Sequence, residues 1–344
     1  MEREDAIIDN KLLKDRIKEF KNNGFKVVQK KSISFIEYYE WFLNYYEKKP
    51  RPRTKGPLAE STLKTYKNSK RVIEDYESDI GRKLMFEHIT LSFHSDFIDH
   101  LQDADHGENY IGTHIKNIKT VMNDAYERGF HTNLDFKKSG FTKPGEEVNH
   151  IYLNKDEITR IKDIDYTNRP HLDNARDLFV IAASTGLRVS DYKKLTLENI
   201  KSHSSGLKYL KVKTQKTGKI VNIPLHGNVI SILKKRGNKF PKMMPSQKIN
   251  DALKTIGKKA KLNEEIEIEK TIGGIKTKLK YKKWQLLTNH TARRSFCTNA
   301  YKAEMPIYDI MSMSGHTSEK TFYNYIKATP MERLEKISKH VFFN

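Results

Sequence analysis

Cysteine is almost absent from this chain, because Cys297 is the only one among 344 residues. A single cysteine excludes an internal disulfide framework and a zinc site built from several thiolates of this chain, so we expect no structural metal. Long apolar runs are also missing: no stretch approaches the roughly 18 residues of a membrane-spanning helix. The acidic start MEREDAIIDNK resembles neither a signal peptide nor an Arg-rich transit sequence. These absences predict a soluble, cytoplasmic protein.

Acidic residues are too few to balance the basic ones. The chain has 64 Lys and Arg against 43 Asp and Glu, which gives a formal charge of +21. A hydrophobic content of 37%, with 16 Phe and 17 Tyr, is enough for packed cores, so the cations must lie on folded surfaces. Nucleic acid is the commonest polyanionic partner of such a protein, and an anionic membrane surface is the weaker alternative.

Proline, glycine and asparagine divide the chain into segments. Residues 1–31 carry one short helical pattern, which is too short for a domain. Residues 32–135 show four helical patterns and predict a compact helical domain. The aperiodic stretch 136–149 predicts a linker, and residues 150–344 predict a second domain that is mainly helical, with two β-hairpins and a C-terminal tail. No internal repeat or low-complexity tract appears.

Basic residues cluster in one part of the predicted helical domain. A stiff loop and the helix that follows it carry seven cations that could contact a phosphate backbone. These candidates are Arg51, Arg53, Lys55, Lys64, Lys67, Lys70 and Arg71. A solvated helix face explains the same pattern, and the sequence leaves both interpretations open.

Four short clusters in the second domain contain side chains suited to phosphoryl transfer. They are Thr185-Gly186-Leu187-Arg188-Val189-Ser190-Asp191, Lys216 in a predicted hairpin, His290-Thr291-Ala292-Arg293, and Ser314-Gly315-His316 followed by Tyr325. Each cluster alone is a weak indication. In contrast, Gly273-Gly274 lacks the following Lys-Ser/Thr of a phosphate-binding loop, which disfavours a nucleoside triphosphate site.

A tyrosine that attacks a phosphodiester needs help from its neighbours. With a pKa near 10 in water, a tyrosine is protonated at neutral pH, and His290 and His316 are candidates to assist its ionisation. The transition state spreads negative charge over the non-bridging oxygens, which the forked donors of Arg188 and Arg293 can hold. The departing deoxyribose oxygen needs a proton, and Lys216 is the candidate general acid.

The order and spacing of these residues resemble the tyrosine recombinase (phage integrase) family, particularly the integrases of Bacteroides-type mobile genetic elements. The shared motifs are T-G-L-R-x-S-[DE], a hairpin lysine seven residues before the hydrophobic residue of a V/I-P-L strand end, H-x-x-R, G-H, and a tyrosine nine residues after that histidine. The matching catalytic positions are Arg188, Lys216, His290, Arg293, His316 and Tyr325. The resemblance extends from Ser32 to the C-terminus.

This resemblance implies a mainly α fold with small β-hairpins, in which a helical core-binding domain and an α+β catalytic domain form a clamp around DNA. It implies a site-specific DNA recombinase, an integrase, that cleaves and rejoins strands through a 3′-phosphotyrosine intermediate without a metal or other cofactor. It also implies a homo-tetramer on the DNA recombination sites, joined by exchange of C-terminal tails. The need for an accessory DNA-bending protein stays open.

Several positions allow two interpretations. Asp191 is either a surface aspartate or an acceptor that orients a catalytic arginine or histidine. Tyr323 lies two residues before Tyr325 and falls on another face of the same predicted helix, 318–327, so the spacing favours Tyr325 as the nucleophile. Arg294 points about 100° away from Arg293 and is expected to be solvated or to contact the DNA backbone.

The two ends of the chain also leave alternatives open. The roughly thirty residues before Ser32 are too few for the arm-binding domain that such integrases usually carry, so the chain either begins late or belongs to a simpler recombinase. The tail either packs on its own domain or docks into a neighbouring protomer. Its apolar residues are Met331, Leu334, Ile337, Val341, Phe342 and Phe343.

Three other functions share parts of this pattern. A type IB topoisomerase uses similar residues but relaxes supercoils without exchanging strands. A non-catalytic, sequence-specific DNA-binding protein would keep the basic first domain and tolerate loss of the catalytic set. A metal-dependent transposase would need clustered carboxylates, and no acidic triad stands out.

Overall fold

The computed structural model describes residues 33–51, 56–338 and 342–343. Contacts divide the chain into two compact units, Met1–Glu146 with Thr271–Lys276, and Glu147–Lys270 with Thr277–Asn344. The boundary between Glu146 and Glu147 falls inside the stretch 136–149 that the sequence predicts as a linker. The predicted helical segment 1–31 lies outside the described residues.

Four helices and two short 3-10 turns make up the described part of the first unit. The helices are α1 (Phe35–Lys48), α2 (Glu60–Asp79), α3 (Leu91–Asp103) and α4 (Glu108–Glu127), and the turns are Phe86–His88 and Asp135–Lys137. Ser34 begins α1 with a capping box, because its hydroxyl accepts from the Glu37 amide while the Glu37 carboxylate accepts from the Ser34 amide.

Aromatic side chains form much of the core of this unit. On α1 the residues at a spacing of three and four are buried, namely Phe35, Tyr38, Tyr39, Phe42 and Tyr46. The hydroxyls of Tyr38 and Tyr46 donate to the Asp124 carboxylate on α4, at 2.7 and 2.5 Å. Phe136 and Phe141, which belong to the predicted linker, are buried in the same core.

Helices, a three-stranded sheet and most of a two-stranded sheet make up the second unit; the turn end of the two-stranded sheet, Thr271–Lys276, belongs to the first unit. Its helices are α5 (Lys155–Lys162), α6 (Pro170–Thr185), α7 (Val189–Tyr192), α8 (Gly227–Lys235), α9 (Ser246–Lys259), α10 (Asn289–Lys302), α11 (Ile307–Ser314), α12 (Glu319–Tyr323) and α13 (Pro330–Ser338). Strands β1 (Ile200–Ser202), β2 (Lys208–Lys213) and β3 (Ile220–Pro224) form an antiparallel sheet in that order. Strands β4 (Glu265–Ile272) and β5 (Ile275–Lys282) form a pair, and 3-10 turns lie at Leu197–Asn199 and Lys283–Leu286.

The register of β2 and β3 follows their alternating pattern. Val212 pairs with Val221 and Leu210 with Ile223, and all four side chains are buried. The alternation therefore turns one face of this hairpin towards the core of the second unit. The turn that joins the two strands contains Lys216.

Helix α6 lies at the centre of the second unit, since every residue from Asn174 to Thr185 is buried. The Asp177 carboxylate on this helix is 2% exposed and accepts from Lys235 and Arg236 at 2.6 Å and from Arg176 at 2.9 Å. These ion pairs join α6 to the end of α8. Among the described helices, none is long and apolar enough to cross a membrane.

Candidate active site

Two helices of the second unit end at left-handed glycines that introduce site residues. Gly186 follows α6 with φ +67°, and Gly315 follows α11 with φ +69°. A Cβ added at Gly186 would lie 2.4 Å from the Phe296 ring, so both the backbone conformation and the space require glycine there. Arg188 comes two residues after the first glycine, and His316 directly follows the second.

Arg293 is the most deeply buried member of the predicted catalytic set, with 1% of its surface exposed. Its Nη1 donates to the carbonyl oxygens of Gly186 and Ser314, both at 2.6 Å, and its Nη2 lies 2.9 Å from His316 Nε2. This guanidinium therefore joins α10 to both glycine turns. Burial and the nearby charge of Arg188 lower its pKa to about 10.

His316 is held in one tautomer by its two neighbours. The Ser314 hydroxyl donates to the Ile310 carbonyl at 2.6 Å and lies 2.8 Å from His316 Nδ1. We assign the ring proton to Nδ1, which then donates to Ser314 Oγ, so that Nε2 accepts from Arg293. Burial, with the charges of Arg293 and Arg188, lowers the pKa of His316 to about 3. The ring is therefore neutral at pH 7.

Tyr325 lies against this pair. Its ring centroid is 4.7 Å from that of His316, and the Arg293 guanidinium carbon is 5.3 Å from the Tyr325 ring. The predicted helix over 318–327 is wrong in its end, because α12 stops at Tyr323 and the Tyr325 amide bonds to the Phe322 carbonyl at 2.8 Å. Tyr323 is 46% exposed and Tyr325 only partly so.

His290 and Lys216 complete the cationic surroundings. His290 lies in the first turn of α10, with its side chain still accessible to solvent. Crowding by protein lowers its pKa, and the charges of Arg294, Arg293, Arg188 and Lys216 act in the same direction. Lys216 itself is exposed on the β2–β3 turn. The structure thus places all six predicted positions in the second unit, and the charges of Arg188, Arg293 and Lys216 all act on His290.

Asp191 is buried, with 6% of its surface exposed. Its Oδ1 accepts from the backbone amide of Gln215 at 2.8 Å, and its Oδ2 has no partner among the residues described. The Ser190 hydroxyl also donates to Oδ1, at 3.3 Å. The described hydrogen bonds of this carboxylate therefore come from its neighbour in sequence and from the turn next to Lys216 rather than from a catalytic arginine or histidine.

Two supporting residues were not recognised from the sequence. Ser314 orients His316, as described above, although it is visible as part of the Ser-Gly-His cluster. Thr298 is fully buried on α10, where its hydroxyl donates to the Tyr325 carbonyl at 3.2 Å and accepts from the Lys327 amide at 3.0 Å. Its spacing of eight residues from His290 is the only sequence feature that points to this face.

Several hydrogen-bond donors of the site have no partner among the described residues. Within the described part of the chain, the side chains of Arg188, Lys216 and His290 and the hydroxyl of Tyr325 form no hydrogen bond, and Arg188 Nη1 is buried without a partner. The same residues contain no group of three His, Cys, Asp or Glu side chains arranged to hold a metal ion. An acceptor-rich anion such as a phosphodiester would satisfy these open donors.

The predicted DNA contacts in the first unit have different surroundings. Lys64, Lys67 and Arg71 are exposed on α2, whereas Lys70 is paired with Glu74 at 2.8 Å and Glu40 at 3.6 Å. Arg53 and Lys55 lie outside the described residues, and Arg51 is partly buried.

A cleft of about 560 Å³ lies between α2 and α4. Hydroxyl groups and lysines line it, including Ser61, Thr65, Lys116 and Lys143. At about 100° per residue, Lys67 points to the opposite side of α2 from Ser61 and Thr65. The first unit therefore offers two separate cationic surfaces.

A buried Arg–His pair lies beside a tyrosine, and the cations around it have no hydrogen-bond partner among the described residues. Such a set of side chains is suited to an enzyme that transfers a phosphoryl group to tyrosine. The profile of the Phage integrase family matches residues 152–332, and that of the Phage integrase SAM-like domain matches residues 34–141. The chain belongs to the phage integrase family, the family of the tyrosine recombinases. No curated protein matches it.

Similar solved structures include a lambda integrase tetramer bound to a Holliday junction, with 16% identity, a TM-score of 0.58, and coverage of 95% of this chain and 88% of that one. The Tn1549 transposon integrase in complex with a circular intermediate DNA has 15% identity and a TM-score of 0.61, over 90% and 99%. XerH recombinase bound to a palindromic difH substrate has 16% identity and a TM-score of 0.55, over 80% and 79%. This likeness confirms the predicted mainly helical fold with small sheets.

Proposed function

We propose that this protein is a site-specific DNA recombinase, an integrase of a Bacteroides-type mobile element, that cleaves and rejoins strands through a 3′-phosphotyrosine. The observation that carries the proposal is the packing of Tyr325 against the Arg293–His316 pair, with Arg188 Nη1 buried and without a partner among the described residues. Membership of the phage integrase family supports the same function.

In this mechanism Tyr325 Oη attacks the scissile phosphorus, and the bond to the 5′ oxygen of the next nucleotide breaks. Arg293 uses Nη1 on two carbonyls and one Nη2 proton on His316, which leaves Nε–H and a second Nη2–H for a non-bridging oxygen. Arg188 Nη1 holds the other. Both arginines thereby stabilise the charge that develops in the transition state.

Protons move through the remaining members of the set. His290 is neutral at pH 7 because its pKa is lowered, and its ring forms no hydrogen bond within the described residues, so it can accept the proton that Tyr325 loses. His316 uses both ring nitrogens, on Ser314 and Arg293, and therefore assists by holding Arg293 beside Tyr325. Lys216 protonates the departing 5′ oxygen, and Asp191 holds the turn that carries this lysine. A 5′ hydroxyl of the partner strand then attacks the phosphotyrosine and restores the phosphodiester.

Tyr323 provides a matched control for the nucleophile. A randomised duplex library is incubated with the protein, and DNA that stays attached after denaturation in detergent is recovered. We expect the wild type and Tyr323→Phe to retain DNA covalently and Tyr325→Phe to retain none. An adduct with Tyr325→Phe would show that the nucleophile is another residue, and DNA binding without any adduct would favour a non-catalytic DNA-binding protein.

Recombination and topoisomerase activity are separated with the same DNA. A recovered duplex, placed on two plasmids, should support exchange of strands between them. Relaxation of one supercoiled plasmid without exchange would instead identify a type IB topoisomerase.

Assembly on DNA is the second part of the proposal. Helix α13 is fixed to its own unit by Glu332, which accepts from Lys302 at 2.6 Å and from Tyr152. The apolar residues described in the tail remain exposed, namely Met331 64%, Leu334 55%, Ile337 49%, Phe342 81% and Phe343 62%. Val341 lies outside the described residues. We assign this apolar surface to a neighbouring protomer in a tetramer, with an accessory DNA-bending protein as a further partner.

The tail and the accessory protein are tested separately from cleavage. Leu334→Glu should keep covalent adduct formation and lose strand exchange and tetramers in sedimentation, because the charge cannot enter an apolar interface. Full strand exchange by this variant would show that the tail does not join the protomers. Exchange that proceeds with purified protein alone would exclude the need for a bending protein.

Two surfaces of the first unit compete as the DNA contact. In B-DNA each phosphate contact contributes about 0.9 to the slope of log affinity against log salt. If the α2 face binds, Lys67→Gln with Arg71→Gln should lower that slope by about 2. If the cleft binds, Lys116→Gln with Lys143→Gln should do so instead.

A further inference from the structure

Helix α10 carries a second set of polar side chains next to the catalytic face. His290, Arg294 and Thr298 are four residues apart and therefore share one face of this helix. The Thr298 hydroxyl binds the carbonyl of Tyr325 and the amide of Lys327, which brings that segment against the same face. Arg294 thus lies one turn from Thr298, beside the residues that carry the nucleophile.

The cations at this place have no paired anionic side chain in the part of the chain that the structure describes. Arg294 is partly buried, and neither its guanidinium nor the Lys327 ammonium nor the His150 ring forms a hydrogen bond or ion pair with any residue that the structure describes. Partial burial lowers the pKa of Lys327, and the charge of Arg294 lowers it further, while Glu147 acts in the opposite direction.

The segment that follows His150 also lies against α10, because the Leu153 amide donates to Ser295 Oγ at 2.8 Å and the Asn299 side-chain amide donates to the Leu153 carbonyl at 2.9 Å. Loss of hydration lowers the pKa of the His150 ring to about 4, and the charges of Arg294, Lys327, His290 and Lys270 contribute. A partly buried guanidinium without an acceptor is costly, so a cluster of this kind is stabilised when an anion binds to it.

We propose that Arg294 and Lys327, with His150, form a second phosphate site, which binds the phosphodiester next to the one that Tyr325 attacks. The inference rests on the proposed function, since it assigns a second contact to the same DNA strand. Phosphodiester oxygens only accept hydrogen bonds, and the arginine fork can hold two of them. Arg293 then holds the scissile phosphodiester while Arg294 holds its neighbour. With two adjacent phosphates bound, the strand is fixed so that the scissile phosphorus lies in line with Tyr325 Oη.

Substituted DNA tests this site directly. The probe is a duplex recovered with the wild-type protein, synthesised with a neutral methylphosphonate at the phosphate on either side of the scissile one. Wild-type adduct formation should slow roughly tenfold on one of these duplexes, the size expected for loss of one charge-assisted hydrogen bond. Arg294→Gln should slow by a similar factor on unmodified DNA and show no further slowing on that duplex.

Arg169→Gln is the matched control, because it removes an exposed arginine of the same unit. It should follow the wild type on every duplex. If Arg294→Gln is slower than the wild type by the same factor on every duplex, including both modified ones, the two losses are additive and the second phosphate site is overturned. Failure of the wild type to form any adduct would overturn the proposed function instead.

Inorganic phosphate provides a measurement that needs no DNA. The NMR signal of the His150 ring, identified by its loss in His150→Gln, should shift saturably with added phosphate in the wild type and in Arg169→Gln. The shift should be lost in Arg294→Gln. Absence of a saturable shift in the wild type would also overturn the site.

Discussion

Removing the Asp191 carboxylate should impair cleavage through Lys216, although the two side chains share no described hydrogen bond. The carboxylate accepts from the Gln215 amide at 2.8 Å and so holds the residue next to Lys216 in the β2–β3 turn. In Asp191→Ala the turn loses this anchor, and the lysine spends less time where it can protonate the leaving oxygen. DNA binding should change little, because Asp191 is buried.

The size of the effect follows from the hydrogen bond. A buried bond to a charged acceptor contributes roughly 1.5–3 kcal/mol, which corresponds to a loss of roughly 10-fold to 150-fold in the rate of adduct formation. Asp191→Asn keeps an acceptor oxygen without the charge. Because neutral hydrogen bonds are about half as strong, this variant should lose only about fivefold to tenfold.

A substrate with sulfur in place of the 5′ bridging oxygen isolates the role of the turn. A thiolate leaves without being protonated, since a thiol has a pKa of about 8.5, so this substrate bypasses a missing general acid. Asp191→Ala and Lys216→Ala should both approach the wild-type rate with it, whereas Arg188→Ala should stay slow. Rescue of Lys216→Ala without rescue of Asp191→Ala would refute the proposed link between the carboxylate and the lysine.

Three further predictions concern the fold around the site. Thr298→Val should slow adduct formation roughly tenfold, because the hydrogen bond that holds the Tyr325 segment is lost. Ser295→Ala, which removes another buried hydroxyl of α10, should lower the melting temperature without slowing adduct formation to that extent. Equal rates of adduct formation for the two variants would contradict a positioning role of Thr298. Gly186→Ala should destabilise by more than about 2 kcal/mol in thermal denaturation, because the added carbon meets a ring at 2.4 Å, while Gly206→Ala, with φ +81° and open space, should cost only about 1 kcal/mol. Between pH 6.5 and 5 the free energy of unfolding should fall by roughly 1.5 kcal/mol through His316, because its folded pKa of about 3 lies below the unfolded value and the unfolded chain takes up the proton first; His316→Asn should remove that part of the slope measured with urea.

Helical periodicity predicted the fold best where amphipathic helices are long. The four helices of the first unit follow their apolar spacing closely, and the β2–β3 hairpin follows its alternation. Helices α8 and α9 were not predicted, although both have apolar faces. The predicted end of α12 was wrong because the Thr298 hydroxyl, 27 residues before Tyr325, donates to the Tyr325 carbonyl and holds this segment outside the helix. A contact so distant in sequence leaves no periodic pattern.

The catalytic candidates could be predicted because each lies in a short motif, but their supports could not. The sequence left Asp191 open between a surface aspartate and an acceptor that orients an arginine or histidine, whereas its described backbone partner, Gln215, lies 24 residues away in a turn. Likewise Lys70 was grouped with exposed cations, whereas Glu40 of another helix neutralises part of its charge. Motif spacing reports which residues recur together. It does not report which atoms they bind.

The two arginines of the site differ in how much the folded structure depends on them. Arg293 closes both glycine turns, so a descendant that no longer cut DNA would still need it to keep its shape. Arg188 Nη1 has no described partner to satisfy, and selection on folding alone would let that residue drift. In sequences derived from this one, an intact H-x-x-R motif is therefore poor evidence of activity. Replacement of Arg188 should appear earlier than replacement of Arg293 after catalytic activity has been lost.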